Sequence, residues 1–375
     1  MLKNKPVIVL GLGPAGLFLT RQLSVLTKNI FLIGRTDDVG LFTRYCKRKN
    51  RFCAVTTDEL EEVFRKILQR VTTKPILYIC SDQYLSILLE HKERWNNYVE
   101  LSDSDYETLS LINDKNTINE YCHEHNVRIP ETYSYDSFCK DKEFPKIIKW
   151  VEKRIETAVN PIGKVRICRN ESELDTINKL LEKSGIQNDE LFVQTFIEGK
   201  NDCQYSVGGY YKNGSNLADV VVNQVKQYPQ GVSAEVVTVF DPVCDRLRRI
   251  TRSFAEQLSY SGFLEIEYKI DSVTNDIYLL DVNPRPWGWI SILGKVYPDF
   301  YRVLIGEAPS ESNRTVVWKS PLRKVLGKRN KQNCKLPAGI KKYEVAYDIL
   351  DLHDIGPSFG FFLVAMKKIV RRIRR

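Results

Sequence analysis

The side chains of this sequence best suited to chemistry are two acids, an amide and a guanidinium, namely Glu267, Asp281, Asn283 and Arg285. Two carboxylates and an amide oxygen form an oxygen-only set, which suits Mg²⁺ better than zinc or copper. Proteins usually hold Mg²⁺ with one or two carboxylates and substrate phosphates, so this set predicts a nucleotide site. Arg285 stands between two prolines, and its planar fork suits a phosphate or a carboxylate.

The neighbouring residues predict a hairpin that brings these groups together. In the first strand, LEIEYKI, apolar and charged residues alternate with a period of two, and the following DSVTND predicts a turn. In the second strand, Asp281 and Asn283 are expected to share one face with Ile277 and Leu279. When the strands pair, Glu267 faces that polar surface. The spacing alone leaves open an ordinary hairpin whose acids are only solvated.

The combination of GFLEIEY with DVNPR resembles the metal-binding hairpin of the ATP-grasp superfamily. The resemblance implies ATP and Mg²⁺ as cofactors, with Mn²⁺ as an alternative metal. It implies Glu267, Asp281 and Asn283 as metal ligands, the two acids also serving the nucleotide, and Arg285 as a catalytic residue. Asp281 departs from the family pattern, in which glutamate is commoner at this position.

Other segments extend the resemblance to the nucleotide. The strand FPKIIK ends at Lys149, which by the resemblance reaches the ATP phosphates and shares in catalysis. The segment PIGKV contains Lys164, at the place where the family has a mobile loop over the phosphates, although this loop is poor in glycine. The segment LFVQTFIEG resembles the strand that holds adenine, which implies that Gln194, Phe196 and Ile197 line the adenine pocket.

The N-terminal region carries GLGPAG between a strand and a helix, a GxGxxG pattern that brings backbone close to a phosphate. Enzymes that use nicotinamide or flavin usually have an acid near the end of the second strand, where this sequence has Gly34 and Arg35. One interpretation is an NAD(P)- or flavin-linked oxidoreductase. We favour the other, in which the glycine turn only closes a Rossmann-like domain of the kind that commonly precedes an ATP-grasp fold.

Composition is that of a globular protein, since 43% of the 375 residues are hydrophobic and 27% are charged. Nine dispersed cysteines without a CxxC pair predict reduced thiols in the cytoplasm, and argue against a disulfide framework or a zinc site. No segment has the length and apolarity of a membrane span, and the N-terminus does not resemble a secretion signal. We therefore expect a cytoplasmic protein, with peripheral contact at the inner membrane face as an extension.

The positive charge is concentrated at the C-terminus. Residues 313–375 carry 16 Lys and Arg against four acids, whereas the net charge of the whole chain is +9. In the last segment Phe362, Met366, Ile369 and Ile373 fall on one helical face, and six cationic residues follow or interleave with them. Two interpretations remain open: a helix that lies at the surface of an anionic membrane, and a helix that packs on the protein body with a solvated end.

Together the residues and the resemblance predict a mixed α/β and α+β architecture. The expected units are a Rossmann-like pre-ATP-grasp domain over 1–103, a two-lobed ATP-grasp domain over 104–312 with lobes of about 104–190 and 191–312, and a basic extension over 313–375 that ends in an amphipathic helix. After the hairpin we expect one helix from Trp289 to Ile305, and then a basic, irregular stretch over residues 314–342.

The expected activity is that of an ATP-dependent carboxylate–amine ligase. A carboxylate attacks the γ-phosphate to give an acylphosphate, and an amine then displaces phosphate to form an amide; the protein supplies mainly positioning and charge stabilisation. The sequence is most similar to carbamoyl-phosphate-synthase-like and D-aspartate-ligase-like proteins, some of which decorate cell-wall or surface polysaccharide precursors with amino acids. The expected partners are a small carboxylate, an amine and a saccharide- or lipid-linked acceptor, and no nucleic acid. A non-catalytic, membrane-recruited binding protein is the third alternative.

Overall fold

The computed structural model describes residues 5–102, 104–113, 115–125, 127–151, 162–312, 314–321, 323, 331–337 and 339–373. The side chains of 115, 116 and 365–373 are outside this description. The expected domain boundary at residue 103 also lies outside the described residues.

The N-terminal part forms a five-stranded parallel sheet of order β3-β2-β1-β4-β5. Its strands are β1 Val7–Leu10, β2 Ile30–Gly34, β3 Arg51–Cys53, β4 Ile76–Ile79 and β5 Glu100–Leu101. The helices between and after them are α1 Pro14–Leu26, α2 Thr57–Leu68, α3 Asp82–Glu90, α4 Lys92–Trp95, α5 Tyr106–Asn113 and α6 Lys115–Glu124. The strand order reverses between β1 and β4, and ligands of open α/β sheets bind at such a point.

A small four-stranded antiparallel sheet follows, of order β6-β9-β7-β8. Its elements are β6 Thr132–Ser134, α7 Tyr135–Asp141, β7 Lys146–Trp150, β8 Val165–Cys168, α8 Glu171–Lys183 and β9 Leu191–Thr195. Alternate residues of β7 bury one face: Ile148 and Trp150 pack with α7 and α8 in a separate hydrophobic cluster. Lys149 lies on the other face of this sheet, away from that cluster.

The large sheet has seven strands in the order β14-β13-β10-β11-β12-β15-β16, and only its last pair is parallel. Its elements are β10 Gln204–Lys212, β11 Ser215–Gln227, β12 Ser233–Thr238, α9 Pro242–Gln257, β13 Gly262–Ile270, β14 Ile277–Asn283, α10 Leu293–Val296, β15 Val316–Lys319 and β16 Glu344–Tyr347. Two hydrophobic clusters each combine side chains of this sheet with side chains of the N-terminal sheet. The described residues of these two parts therefore share their core.

Two predictions from the sequence are wrong in the region after the hairpin. A single helix was expected from Trp289 to Ile305, but the structure has the short helix α10 between 3₁₀ turns at Ile290–Ile292 and Phe300–Ile305. Pro298 explains the break, because proline lacks a backbone N–H and disfavours helical backbone in the residue before it. The stretch 314–342 was expected to be irregular, yet it supplies β15, whose residues Val316, Val317 and Trp318 are fully buried.

The chain ends in helix α11, Gly356–Ile373, which begins against the N-terminal part. The Asp354 carboxylate is buried and accepts hydrogen bonds from Arg21 Nε (3.0 Å), Thr43 Oγ1 (2.7 Å) and the backbone N–H of Arg44 (2.9 Å). One turn later the backbone of Gly360 lies so close to Phe42 that a Cβ would be 2.3 Å from its ring. The first turns of α11 are therefore docked on the protein body.

Within the part of the chain that the structure describes, no helix combines the length and apolarity needed to cross a membrane.

Candidate active site

The hairpin of β13 and β14 brings four polar side chains onto one face of the large sheet. Glu267 lies directly opposite Asp281, and Glu265 lies directly opposite Asn283. Directly paired residues of antiparallel strands point to the same side of the sheet, so all four share one face. The predicted neighbours Glu267 and Asp281 are thus together, whereas Asn283 pairs with Glu265 rather than with Glu267.

A β-bulge sets this arrangement. The register shifts by one residue between Glu267–Asp281 and Tyr268–Leu279, which leaves Leu280 as the extra residue. Leu279 therefore points into the hydrophobic core, together with Ile277. The sequence prediction that these two residues share a face with Asp281 is wrong, because strict alternation does not hold across a bulge. Only the extra residue allows the first half of β14 to bury its apolar side chains and the second half to present polar ones.

Glu265 is an acid of this site that the sequence reasoning missed. Its side chain is only 5% exposed, and it accepts hydrogen bonds from Asn283 Nδ2 (3.2 Å) and Trp289 Nε1 (2.7 Å). Burial, with a further contribution from the charge of Glu267, raises the pKa of Glu265 to about 8. The available signal was its spacing, since Glu265 and Glu267 are two positions apart on the same strand.

Replacing Trp289 tests how much its indole N–H contributes to this buried carboxyl group. We expect Trp289→Phe to lower the free energy of unfolding by about 1–3 kcal/mol more than Trp318→Phe does, since it leaves a buried acceptor without its donor. Trp318 is a matched control, because it is also fully buried and its Nε1 has no hydrogen-bond partner among the described residues. Urea unfolding measures both variants, and equal losses would mean that the Trp289–Glu265 bond contributes nothing.

Strand β10 adds two further polar groups beside the hairpin. Gln204 Nε2 donates to Glu267 Oε2 at 3.2 Å. Ser206 lies directly opposite Glu267 and on the same face; its Oγ is fully buried and has no hydrogen-bond partner among the described residues. A buried hydroxyl without a partner is costly, so the Ser206 hydroxyl is available to hydrogen-bond a ligand of the hairpin. Neither residue is recognisable from the sequence, because their importance comes only from the pairing of β10 with β13.

Arg285 follows the hairpin and binds the N-terminal part. Its Nε and Nη2 donate to the two carboxylate oxygens of Asp82, each at 2.6 Å, and Nη2 also donates to Asn283 Oδ1 at 3.2 Å. Burial acts against the charged guanidinium, but the Asp82 carboxylate outweighs it, so the pKa of Arg285 is raised. The sequence predicted that the Arg285 guanidinium binds a ligand. In the structure this guanidinium is hydrogen-bonded to Asp82 at the start of α3. No local sequence signal connects these two residues.

The sequence-predicted nucleotide residues Lys149, Gln194, Phe196 and Ile197 lie on or just after the strands of the small sheet. Lys149 and Gln194 share the face opposite the small sheet's hydrophobic cluster, and Gln194 Nε2 donates to Thr132 Oγ1 at 3.3 Å. Ile197 is buried, 4% exposed. The Phe196 ring lies 5.0 Å from the ammonium group of Lys269, which is on the same strand as Glu267. Phe196 therefore lies where the small sheet meets the large one.

Lys164 connects the small sheet electrostatically with the hairpin. Its ammonium group is near enough to the hairpin for the acids there to act on it. Desolvation disfavours the charged form, but the charges of Glu267, Asp281 and Glu265 outweigh it, so the pKa of Lys164 is raised. The structure thus brings Lys164 to the same site as the hairpin acids. Residues 152–161, which precede it, lie outside the described residues.

The donor chemistry of this site fits Mg²⁺ together with the phosphates of a nucleotide. Glu265, Glu267, Asp281 and Asn283 offer oxygen ligands. Lys149 of the small sheet and Lys164, just before β8, supply positive charge. Among the described residues, no group of three or more His, Cys, Asp or Glu side chains is arranged to hold a metal ion. In proteins, Mg²⁺ is commonly held by one or two carboxylates together with substrate phosphates.

The glycine turn at the N-terminus is occupied by a carboxylate of the chain itself. Asp38 Oδ2 accepts hydrogen bonds from the backbone N–H groups of Leu12 (3.2 Å) and Arg35 (2.9 Å). An internal anion thus takes a donor that the GxGxxG turn would otherwise offer to a phosphate. This observation favours the interpretation in which the turn closes the fold, and it gives the oxidoreductase alternative no support.

A cavity of about 630 Å³ lies beside this turn and reaches Asp82. Its walls come from the glycine turn, the start of α3, the segment after β16 and helix α11. The lining side chains include Arg35, Asp82, Arg323, Asp348 and Phe361. Asp82 lines the cavity and is hydrogen-bonded to Arg285, which follows the hairpin. A polar molecule in the cavity would therefore lie close to the hairpin.

Sequence comparison finds two relatives of known activity, and no family model matches the chain. A D-aspartate ligase of Enterococcus faecium is 21% identical over 242 residues, which span 60% of this chain and 57% of that protein. The large chain of carbamoyl phosphate synthase from Clostridium acetobutylicum is 22% identical over 212 residues, 54% of this chain and 19% of that protein. The chain thus spans little more than half of the first relative and a small part of the second.

Solved structures with the same fold are found at lower identity. An N5-carboxyaminoimidazole ribonucleotide synthetase in complex with ADP has a TM-score of 0.63 at 12% identity, covering 84% of this chain and 81% of that one. A biotin carboxylase from Campylobacter jejuni, solved with an ATP analogue, has a TM-score of 0.61 at 15% identity, covering 84% and 75%. None of these four proteins is named as an oxidoreductase. The chain therefore shares the mixed α/β fold of these solved structures and is similar in sequence to the two relatives.

Proposed function

We propose that this protein is an ATP- and Mg²⁺-dependent ligase that joins a carboxylate to an amine. The observation that carries the proposal is the paired register of the hairpin, Glu267 with Asp281 and Glu265 with Asn283, beside a sheet that presents Lys149. Glu267 and Asp281 would hold Mg²⁺, which would supply positive charge against the phosphate oxygens of the nucleotide. The similarity to a protein named D-aspartate ligase supports the proposal, because that name describes a ligase that acts on an amino acid.

The proposed reaction has two steps. A carboxylate oxygen of the first substrate attacks the γ-phosphorus of ATP, and the bond from that phosphorus to the β–γ bridging oxygen breaks, which releases ADP and leaves an acylphosphate. The amine nitrogen then attacks the acyl carbon and loses a proton, and phosphate leaves as the amide forms. In this scheme Lys149, Lys164 and Arg285 stabilise phosphoryl charge as it moves, and no nucleophilic side chain is required.

We assign the adenine end of the nucleotide to the junction of the two sheets. Ile197 and Phe196 provide an apolar wall there, and Gln194 provides a polar group on the same small sheet. Adenine sites commonly consist of little more than apolar side chains and a few polar groups. In this arrangement the N-terminal part serves as a Rossmann-like pre-ATP-grasp domain, consistent with the carboxylate of Asp38 in its glycine turn.

The acceptor is proposed to occupy the cavity between the glycine turn and α11. This cavity contains both guanidinium and carboxylate groups, including Arg35, Arg323 and Asp348, which suits a highly polar molecule such as a saccharide-linked acceptor. Its wall at Asp82 lies against Arg285, which would bring the acceptor to the acylphosphate. A cell-wall or surface polysaccharide precursor, free or lipid-linked, is the acceptor class that we propose.

Release of ADP tests this function directly. The protein is incubated with Mg²⁺ and ATP across a panel of amino acids, singly and with saccharide or peptide acceptors. We expect one pair to stimulate ADP release and to yield a product with a new amide bond by mass spectrometry. Absence of ATP binding, measured by calorimetry and by protection against thermal unfolding, would contradict the proposal.

Peripheral contact with an anionic membrane is also part of the proposed function. The outer side of the C-terminal region exposes large apolar side chains: Leu352 is 85% exposed, Ile355 66%, Phe359 63% and Phe362 59%. Six Lys and Arg follow between 367 and 375. An apolar face next to a cationic segment is complementary to anionic lipid. Of the four residues predicted to form one helical face, only Phe362 has a described side chain, and it is exposed.

Substitution on this outer face tests the membrane proposal. We expect Phe359→Ser with Phe362→Ser to reduce co-sedimentation with phosphatidylserine-containing vesicles by at least about tenfold. Full burial of one aromatic side chain contributes roughly 1.5–3 kcal/mol, and a tenfold change requires only about 1.4 kcal/mol. Phe240→Ser is the matched control, because Phe240 is 56% exposed but lies outside the C-terminal region. Point substitutions are preferable to truncation, since α11 also forms a wall of the cavity. Unchanged vesicle binding, or self-association through this face instead, would contradict the proposal.

A further inference from the structure

A chain of hydrogen bonds links the hairpin carboxylate Glu267 to a loop that contacts the small sheet. Gln204 Nε2 donates to Glu267 Oε2 (3.2 Å), and Gln204 Oε1 accepts from Gln227 Nε2 (2.9 Å). Gln227 Oε1 in turn accepts from the backbone N–H of Gly231 (3.0 Å) and from Gln230 Nε2 (2.9 Å). We call the series Glu267, Gln204, Gln227 and Gly231 the glutamine relay.

The direction of the hydrogen bonds in the relay is fixed by its two ends. An ionised carboxylate can only accept, so Gln204 must turn its amide nitrogen toward Glu267 and its oxygen toward Gln227. A backbone N–H can only donate, so Gln227 must turn its oxygen toward Gly231 and its nitrogen toward Gln204. Both requirements are satisfied by the same pair of amide orientations. The two amide dipoles are thus aligned, and such chains strengthen each member.

The far end of the relay lies at the contact between the large and small sheets. Gly231 has a positive φ of 80°, and a Cβ at this position would lie 3.1 Å from Val165 Cγ2 and 3.6 Å from Lys164 Cδ. Val165 is paired with Lys149 on the small sheet. The loop that ends the relay therefore contacts the segment that brings Lys164 toward the hairpin acids.

The relay is also built into the protein body. The Gln227 side chain is only 1% exposed, and its backbone N–H donates to Asn333 Oδ1 at 2.9 Å. Asn333 Oδ1 also accepts from Asn201 Nδ2 at 3.0 Å, and Asn201 is 3% exposed. Burial of an amide is costly unless its hydrogen bonds are made, so this chain has one well-defined arrangement. A single buried series of hydrogen bonds thus connects Gly231 with Glu267.

We propose that Gln204 and Gln227 are positioning residues for the Glu267 carboxylate. Through them, the orientation of Glu267 depends on the contact between the small sheet and the loop at Gly231. This rests on the proposed function, since it concerns the Mg²⁺–nucleotide site of that function. When the small sheet closes on the Gly231 loop, Lys164 and a correctly oriented Glu267 are brought to the nucleotide together. Mg²⁺ would therefore bind tightly only when the small sheet contacts the Gly231 loop, the same state in which Lys164 reaches the nucleotide.

The experiment measures how much Mg²⁺ strengthens the binding of a non-hydrolysable ATP analogue, by calorimetry with and without the metal. We expect Gln227→Met to reduce this Mg²⁺-dependent gain about 5- to 10-fold, the effect of one hydrogen bond, while metal-free binding is unchanged. Gln227→Glu should reduce the gain further, because a carboxylate cannot donate to Gln204 and so reverses its amide. Gln257→Met, a glutamine exposed on α9, is the control and should retain the wild-type gain.

A variant outside the core guards against loss of folding. Gly231→Ala keeps the backbone N–H but adds a Cβ against Val165 and strains the positive φ of the loop. Both effects displace the end of the relay, so we expect the same gain to fall. Thermal unfolding without ligand shows that each variant is folded. If the wild type shows a Mg²⁺-dependent gain in affinity and all relay variants retain it, the positioning role of Gln204 and Gln227 is contradicted, while the proposed function stands. If the wild type itself binds no nucleotide, both are overturned.

Discussion

Glu267→Gln and Asp281→Asn are each expected to lower turnover of Mg-ATP at least about 100-fold while the protein remains folded. A bound metal contributes several kcal/mol of charge stabilisation in phosphoryl transfer, and each 1.36 kcal/mol corresponds to a tenfold change in rate. The two acids lie directly opposite each other on paired strands, so either substitution removes half of their shared charge. Both substitutions replace a carboxylate by an amide of nearly equal size, so packing of the hairpin is retained.

Steady-state ADP release measures the effect, and thermal unfolding shows whether the fold survives. Asp245→Asn and Glu256→Gln serve as controls, because each removes one acidic charge from exposed positions of helix α9. These controls should turn over at the wild-type rate. Retained turnover in both Glu267→Gln and Asp281→Asn would show that the hairpin does not hold the metal.

The sequence was sufficient to locate the hairpin, because its signals are local. Alternation with a period of two and a polar turn predict paired strands, and the strands β13 and β14 are found there. The facing of Glu267 and Asp281 followed from that pairing. The bulge at Leu280 could not be derived in this way, since an extra residue is favoured by which side chains the surrounding core can bury. That information lies in residues far away in the sequence.

Residues that join separate parts of the chain were beyond the reach of sequence patterns. Asp82 is 203 positions from Arg285, and Ser206 acquires meaning only because β10 pairs with β13. The strand β15 was missed because its residues lie in a strongly basic stretch, whose charge resembles that of a solvated segment. In all three cases the deciding contacts are tertiary, formed between residues far apart in the sequence, and they override the local composition.

Replacement of Arg285 by lysine is expected to reduce both stability and turnover. Lysine keeps the charge but cannot form the two 2.6 Å hydrogen bonds that the guanidinium makes with Asp82. The side chains are 15% and 29% exposed, so solvent weakens the pair, and we expect a loss of about 2 kcal/mol in unfolding free energy. Turnover at saturating ATP should fall about 100-fold or more, because a preorganised donor near the transferred phosphoryl group is lost.

Comparison with Asp82→Asn separates the two roles of Arg285. The Asp82→Asn variant also removes the bidentate ion pair between Arg285 and Asp82. Its loss of unfolding free energy should therefore match that of Arg285→Lys within about 1 kcal/mol. It leaves the guanidinium in place, however, and no longer holds it by charge. We therefore expect turnover of Asp82→Asn at saturating substrates to fall less than about tenfold, far less than that of Arg285→Lys. Equal losses of turnover would mean that Arg285 only ties the N-terminal part to the hairpin, and that the charge acting on the phosphoryl group comes from Lys149 and Lys164.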